Sequence, residues 1–426
     1  MRYVIVGSGP AGLSAIESIR EVDRDNEVLL VTAEKYVGYS KPLITYLLGK
    51  MTEKSKMFYR TEEFLKENDV SILPETKITG LATEDKLLFA ENGEKIEYDK
   101  LLIATGGRPF IPEIEGLKGQ DGIFTFTTWE DEEKVENYIK ENKIEDAVVL
   151  GGGLIGLKTT EALMKLGLKV TIIELSDRIL SVTFDRKASE IITRALKKEG
   201  CEVITGDTVV RVKGKKRISK ITLKSGKEIN TQLLIIAIGV KPNVEFLEDS
   251  GIDINRGIVV NEKMETSVND VYAAGDCTEF LDLIDGQRKT IAIWPVAVSQ
   301  GKVAGYNMAG KDSKYPGGIP MNSVELAGVP TVSVGHTNLI EENGFEVLTF
   351  ENKDTYKKIV LKDNKIVGAI LVNNIDRAGI YTGLILQRID VSSFKNKLLD
   401  ENFGFVYLPR EFRKMMLEGD VKVWLE

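Results

Sequence analysis

The chain is predicted to be α/β, two copies of one strand–turn–helix unit followed by a smaller α+β domain, and three observations predict it. Residues 3–12 read Tyr-Val-Ile-Val-Gly-Ser-Gly-Pro-Ala-Gly, a β-branched run that breaks into Gly7, Gly9 and Gly12 and continues as the helical pattern Leu13, Ile16, Ile19. Residues 147–156 repeat the plan as Ala-Val-Val-Leu-Gly-Gly-Gly-Leu-Ile-Gly, with Gly151, Gly153 and Gly156, before a helix carrying Leu157, Ala162, Leu163 and Leu166. From about residue 317 the pattern changes to closely spaced strands with helical stretches after them.

The first unit opens with a strand at Val4–Val6. In a βαβ unit the first glycine makes the turn, the second admits a pyrophosphate and the third lets helix pack on strand, with the helix N-terminus facing the phosphates. One such match is a weak signal; its repetition is what makes each unit Rossmann-like. The second strand, Val28–Val31, ends in Thr32-Ala33-Glu34, so Glu34 is the carboxylate available to a ribose, slightly late for the expected spacing. Tyr39-Ser40-Lys41-Pro42 follows, where Lys41 can hold a phosphate as a point charge. A helix near 61–67, a strand at Val70–Leu73 and the Asn92-Gly93 turn lead to the closing strand, Leu101 to Gly106 (LLIATG), which contains Ala104 and Thr105.

Arg108-Pro109 and Ile111-Pro112 interrupt the pattern and place a domain boundary at 110/111. An acidic helical segment near Glu130–Lys140 precedes the second glycine loop. Its second strand, Val170–Ile173, runs directly into Glu174, placed to accept both hydroxyls of an adenosine ribose, where a 2′-phosphate would meet like charge. NADH is therefore expected over NADPH, with Arg178 nearby working against that discrimination. The Ser225-Gly226 turn and the strand Leu233 to Gly239 (LLIIAIG) close this unit as the first was closed. Two copies imply two dinucleotides, or one dinucleotide and a degenerate copy. Further on, Val271-Tyr272-Ala273-Ala274-Gly275-Asp276 puts a carboxylate at a sheet mouth, where it can bind a polyol hydroxyl; without the glycine loops Asp276 reads as a helix cap. Residues 296–308 form a helical run, with Trp294-Pro295 just before it. Strands are expected at Thr331–Val334, Glu346–Phe350, Lys358–Leu361 and Val367–Val372, and helices near Ile380–Leu386 and Phe412–Leu417.

Composition excludes several classes. The chain has 426 residues, 42% hydrophobic and 29% charged, enough for two or three domains of ordinary globular character. Val4-Ile5-Val6 is too short for a signal-peptide core and no run approaches a membrane span, so a cytoplasmic protein without membrane attachment is expected. The two cysteines, Cys201 and Cys277, form no Cys-x-x-Cys, which leaves neither a metal knuckle nor a dithiol centre; no metal site is expected. His336 is the single histidine and reads as structural. A net charge of −8 argues against nucleic acid. The basic run from Arg211 to Lys220 reads as a solvated hairpin face.

The two glycine loops, Ala104-Thr105-Gly106 and Ala274-Gly275-Asp276 together resemble the two-dinucleotide flavoprotein superfamily of FAD- and NAD(P)H-dependent pyridine-nucleotide oxidoreductases, nearest its NADH oxidase, NADH:rubredoxin reductase and nitrite-reductase flavodomain branch. The resemblance implies FAD and NADH as cofactors and a discontinuous FAD domain, 1–110 and 247–316, around an NADH domain, 111–246. It also implies a C-terminal domain, 317–426, that forms a homodimer or partner interface. Carried over, Gly7, Gly9, Pro10, Ala11 and Gly12 would hold the FAD pyrophosphate. Lys41 and Pro42 would lie over the nucleotide and Asp276 on the ribityl chain, with Glu34, Ala104, Thr105, Gly106, Arg108, Gly275 and Trp294 completing the site. Gly151, Gly153, Leu154, Ile155, Gly156, Glu174 and Gly239 would hold NADH. The helix at Pro295 would point its positive end at the flavin.

Some relatives place a cysteine near position 42, where this chain has Pro42, which disfavours thiol chemistry. Electron-transfer relatives carry a lysine at the position of Tyr46 and a glutamate at that of Lys158, so Lys158 is read as a replacement positive charge near the flavin or nicotinamide, or as a solvated lysine. The implied function is an NADH-dependent FAD reductase passing electrons to a rubredoxin, ferredoxin or other iron–sulfur protein or subunit. The alternatives are an NADH oxidase forming hydrogen peroxide, and a non-enzymatic flavoprotein whose NADH-bound state docks a partner. Phe403, Phe405, Tyr407, Leu408 and Trp424 are expected to form an interface.

Overall fold

The computed structural model describes residues 1–411, 413 and 414. Strands rich in Val, Ile and Leu form two five-stranded parallel sheets of matching plan. In the first the order is Val271–Ala273, Lys100–Ile103, Arg2–Val6, Glu27–Val31, Val70–Leu73. In the second it is Ile123–Thr125, Leu233–Ile236, Asp146–Leu150, Lys169–Glu174, Glu202–Thr205. Registers match as well: Val6 lies between Val31 and Ile103, and Leu150 between Ile173 and Ile236. Buried on both faces, such strands need no polar alternation, which is why they read as continuous apolar runs. Strand Val271–Ala273 joins the first sheet from beyond the second unit, so the chain leaves that sheet and returns to it.

Each sheet carries a three-stranded antiparallel meander, Ile78–Ala82 to Lys95–Glu97 and Val209–Gly214 to Glu228–Asn230, turned at Asn92-Gly93 and Ser225-Gly226 as expected. Helix Trp294–Met308 lies against helix Pro10–Val22 so closely that a Cβ on Gly301 or Gly305 would overlap the carbonyl oxygen of Ala11 or Ala15. No helix among the described residues is long and apolar enough to cross a membrane.

The C-terminal sheet is antiparallel, in the order Met321–Leu326, Val329–Gly335, Lys365–Val372, Thr355–Lys362, Phe345–Asn352. Alternation sorts its residues: Leu371 and Ile359 pack with Ile380, Tyr381 and Leu384 of helix Ala378–Leu386. Ile370 and Val372 share a core with Leu157, Ile191 and Leu196 of the second Rossmann-like unit. Strand Met321–Leu326 is additional to the expected ones; as an edge strand carrying Asn322, Ser323 and Glu325 it lacks an apolar run. Phe403 and Leu408, expected at an interface, are instead buried in this domain's core, whereas Phe405, Val406 and Tyr407 are exposed. Phe412, Leu417 and Trp424 lie outside the described residues.

Candidate nucleotide-binding sites

Both glycine loops divide their labour identically. Gly7 and Gly151 each have φ +117°, and a Cβ on either would overlap the carbonyl oxygen of the closing strand, Ala104 or Ala237. A Cβ on Gly12 or Gly156 would overlap the carbonyl of Gly7 or Gly151, so these glycines let helix meet strand. Around Gly9 and Gly153 a Cβ would meet nothing within 4 Å. Those two positions, the N-caps of helices Pro10–Val22 and Leu154–Lys165, therefore face open space, with no side-chain cap on their free N–H groups. An anion belongs there. Ala11 is buried inside the first helix, and Pro10 opens it without needing the hydrogen bond its nitrogen lacks.

At the first site Asp276 stands at the sheet mouth. Buried Gln300 fixes its loop, its Oε1 accepting from the Gly275 N–H at 2.8 Å and the Thr278 hydroxyl at 2.9 Å. Burial pushes the Asp276 pKa up, opposed by the positive charge of Lys41, and no hydrogen bond to Asp276 contributes to the shift. A carboxylate so placed is suited to accept polyol hydroxyls. Lys41 in turn pairs with Glu34 at 2.6 Å, and Tyr39 Oη donates to the other Glu34 oxygen while accepting the Trp129 N–H at 3.1 Å. Glu34 and Lys41 thus stand together, and each carboxylate oxygen retains a lone pair for a ribose. Pro42 sits in the turn Lys41–Leu43 that leads into helix Ile44–Leu48. Trp294, first residue of its helix, meets the Tyr59 ring edge-on at 4.8 Å. Thr105 donates to the Asn243 carbonyl at 2.8 Å, and Gly106 has open space around it. Arg108 is turned to the surface in an ion pair with Glu245. Gln300 and Tyr39 carry no sequence signal of these roles: Gly275 and Trp129 are distant in the chain, and no local pattern marks the nearby Tyr39 as a partner of Glu34.

At the second site the Glu174 carboxylate accepts the N–H groups of Gly152 at 2.6 Å and Ser176 at 2.7 Å, which orients it beside the loop. Ile155 and the neighbouring Leu175 are exposed there, Leu154 is half-buried, and Gly239 closes the strand with open space at its Cα. Lys158 faces away from solvent. It pairs with Glu161, lies 4.7 Å from the Tyr46 ring centroid and donates to the Glu325 carbonyl at 3.2 Å. Burial alone would lower its pKa; the Glu161 carboxylate and the Tyr46 side chain together outweigh that and hold it up. The charge is therefore compensated locally, at a junction of the two Rossmann-like units and the C-terminal sheet.

Asp282, Asp285 and His336 bring ligand atoms within 4.8 Å of one another, but the Lys289 ammonium stands among them, 3.0 Å from Asp282 and 2.6 Å from Asp285. The ammonium offsets one of the two carboxylate charges and occupies the space between them.

The residues fit two dinucleotides: two uncapped helix N-termini open to an anion, one with a buried carboxylate at the sheet mouth and one with a carboxylate oriented for a ribose. Comparison with known proteins agrees. Residues 1–301 match the family described as pyridine nucleotide-disulphide oxidoreductase, and residues 320–389 the rubredoxin NAD+ reductase C-terminal domain. The chain is 33% identical to the NADH-dependent phenylglyoxylate dehydrogenase subunit epsilon of Aromatoleum evansii, over 93% of this chain and 94% of that one. It is 35% identical to the NADH oxidase of Methanocaldococcus jannaschii, over 80% and 76%. A solved NAD-dependent persulfide reductase from A. fulgidus superposes with a TM-score of 0.86 at 27% identity, covering 99% of this chain and 84% of that one. With a family match across most of its length and two relatives above 30% identity, the chain belongs to the pyridine nucleotide-disulphide oxidoreductases, as a FAD-dependent NAD(P)H oxidoreductase.

Proposed function

We propose that this is an NADH-dependent reductase whose electrons leave singly to a small carrier, a rubredoxin or another iron–sulfur protein or subunit. When bound, FAD would supply the redox chemistry, the capacity to accept hydride from NADH. The chain's own residues bind and orient: Gly9 and Gly153 admit the two pyrophosphates, Asp276 takes the ribityl hydroxyls, and Glu174 the adenosine ribose. In this reading residues 1–110 and 247–316 hold FAD, 111–246 hold NADH, and 317–426 carry the partner interface. Both faces of the C-terminal sheet are covered within the chain, so that interface falls to the edge strand Phe345–Asn352 and the exposed Phe405–Tyr407.

One observation carries the choice of acceptor. A disulfide-reducing route needs a reactive thiol, and both cysteines are buried. Burial pushes the thiol pKa up to about 12 for Cys201 and about 11 for Cys277, against any thiolate at neutral pH. The match to a rubredoxin-reductase C-terminal domain supports a carrier, and the near-equal-length relative, named as a subunit, supports delivery to another polypeptide.

Anaerobic stopped-flow reduction of the yellow protein by NADH, followed by mixing with rubredoxin, ferredoxin or oxygen, tests this. Rapid reoxidation by a carrier with slow reoxidation by oxygen is expected. Rapid reoxidation by oxygen with peroxide release would instead establish the oxidase reading, which the NADH oxidase relative favours. Lys158→Ala should lower thermal stability, because it leaves Glu161 unpaired at the three-way junction, with FAD bound and reduction by NADH near native; a slowed reductive phase would instead give Lys158 a role toward the cofactors.

A further inference from the structure

We propose that Asn338, from the C-terminal domain, is a positioning residue that sets dinucleotide choice by withholding Arg178 from the ribose pocket. The inference rests on the reading of Glu174 as the ribose carboxylate. Arg178 lies in the turn directly after Glu174, where a guanidinium could pair with a 2′-phosphate and undo the repulsion by Glu174. The structure sends it elsewhere. Its Nη1 pairs with Asp177 at 2.9 Å, and its Nη2 donates to the Ser181 carbonyl and to Asn338 Oδ1, each at 3.4 Å.

Asn338 also holds the turn itself: its Nδ2 donates at 2.9 Å to the carbonyls of both Ser181 and Val182. Ser181 Oγ in turn donates to Ser176 Oγ at 3.1 Å, and the Ser176 N–H is one of the two that orient Glu174. A continuous set of contacts therefore joins the C-terminal domain to the ribose carboxylate. The strap bearing Asn338 is anchored by the two residues before it, Thr337 donating to the Thr183 carbonyl at 2.8 Å and His336 paired with Asp282 at 2.8 Å.

Arg178 is also held incompletely, because its Nε is buried with no hydrogen-bond partner. An idle charged donor in a turn fastened from outside can exchange its present bonds for a phosphate once the fastening is removed.

The test uses holoenzyme and two readouts: the ratio of kcat/KM for NADH over NADPH, and the ratio of calorimetric affinities for ADP over adenosine 2′,5′-bisphosphate. Asn338→Ala should lower both ratios roughly tenfold, and Arg178→Ala added to it should restore them. Unchanged ratios in Asn338→Ala, with Glu174→Ala lowering them, would overturn the role of Asn338 and leave Glu174 in place. Unchanged ratios in Glu174→Ala would remove the underlying reading instead. Should Asn338→Ala not fold, Arg178→Gln in the otherwise native chain decides. A sequestered arginine predicts ratios within about twofold of native; a rise of tenfold would show Arg178 already engaging the 2′ position, and overturn the proposal.

Discussion

Gly9→Ala should give a folded protein that purifies without its yellow colour, and Gly153→Ala a yellow protein that NADH no longer reduces efficiently. Both glycines have extended backbone that alanine adopts freely, φ −79° at Gly9 and −81° at Gly153. Neither would bring its new methyl within 4 Å of any heavy atom beyond its chain neighbours. The methyl would instead occupy the place where a pyrophosphate meets the helix N-terminus. A loss of at least roughly tenfold in affinity is expected at each site, equivalent to about 1.4 kcal/mol. It is measured as flavin occupancy by absorbance for Gly9→Ala and as NADH affinity for Gly153→Ala, with Gly9→Ala unfolding near the flavin-stripped native protein and Gly153→Ala near the native holoprotein. Gly12→Ala is the contrast, because its Cβ would overlap the Gly7 carbonyl and the fold itself should suffer. A fully flavinated Gly9→Ala protein would remove this loop from the FAD site.

The second large effect is expected where the C-terminal sheet meets the second Rossmann-like unit. Asp185 caps helix Arg186–Lys198 by accepting the Ala188 N–H at 3.1 Å. Its other oxygen accepts the Tyr356 hydroxyl at 2.7 Å and faces the Lys358 ammonium at 3.4 Å. The Lys358 side chain is only 6% exposed. Asp185→Ala removes the cap and leaves a buried ammonium uncompensated, which should cost about 3–5 kcal/mol in stability. Lys358→Met should cost under about 1.5 kcal/mol, since Asp185 keeps two hydrogen bonds and the methionine fills the space. Urea unfolding of the two variants checks the asymmetry; equal losses would mean that the junction does not depend on the buried charge.

The two Rossmann-like units, their glycine loops, the closing strands, the paired meanders and the position of Glu174 are legible in the residue order. These depend on neighbours within a turn or a strand, where apolar runs, glycine spacing and Asn-Gly or Ser-Gly turns are written locally. The sequence also marks the change to an α+β region and the position of Asp276. The partners that each polar group takes emerge only in the folded chain. Gln300 holds the Gly275 loop, Glu34 is shared by Lys41 and Tyr39, Arg108 turns to Glu245, and Lys158 is neutralised by Glu161. Folding also buries Phe403 and Leu408 and brings Asn338 to Arg178. Most of these contacts join residues far apart in the chain, and the rest depend on which way a side chain turns. Neither leaves a periodicity for a local pattern to record: side-chain charge and hydrophobicity specify what a residue needs, and packing decides which neighbour supplies it.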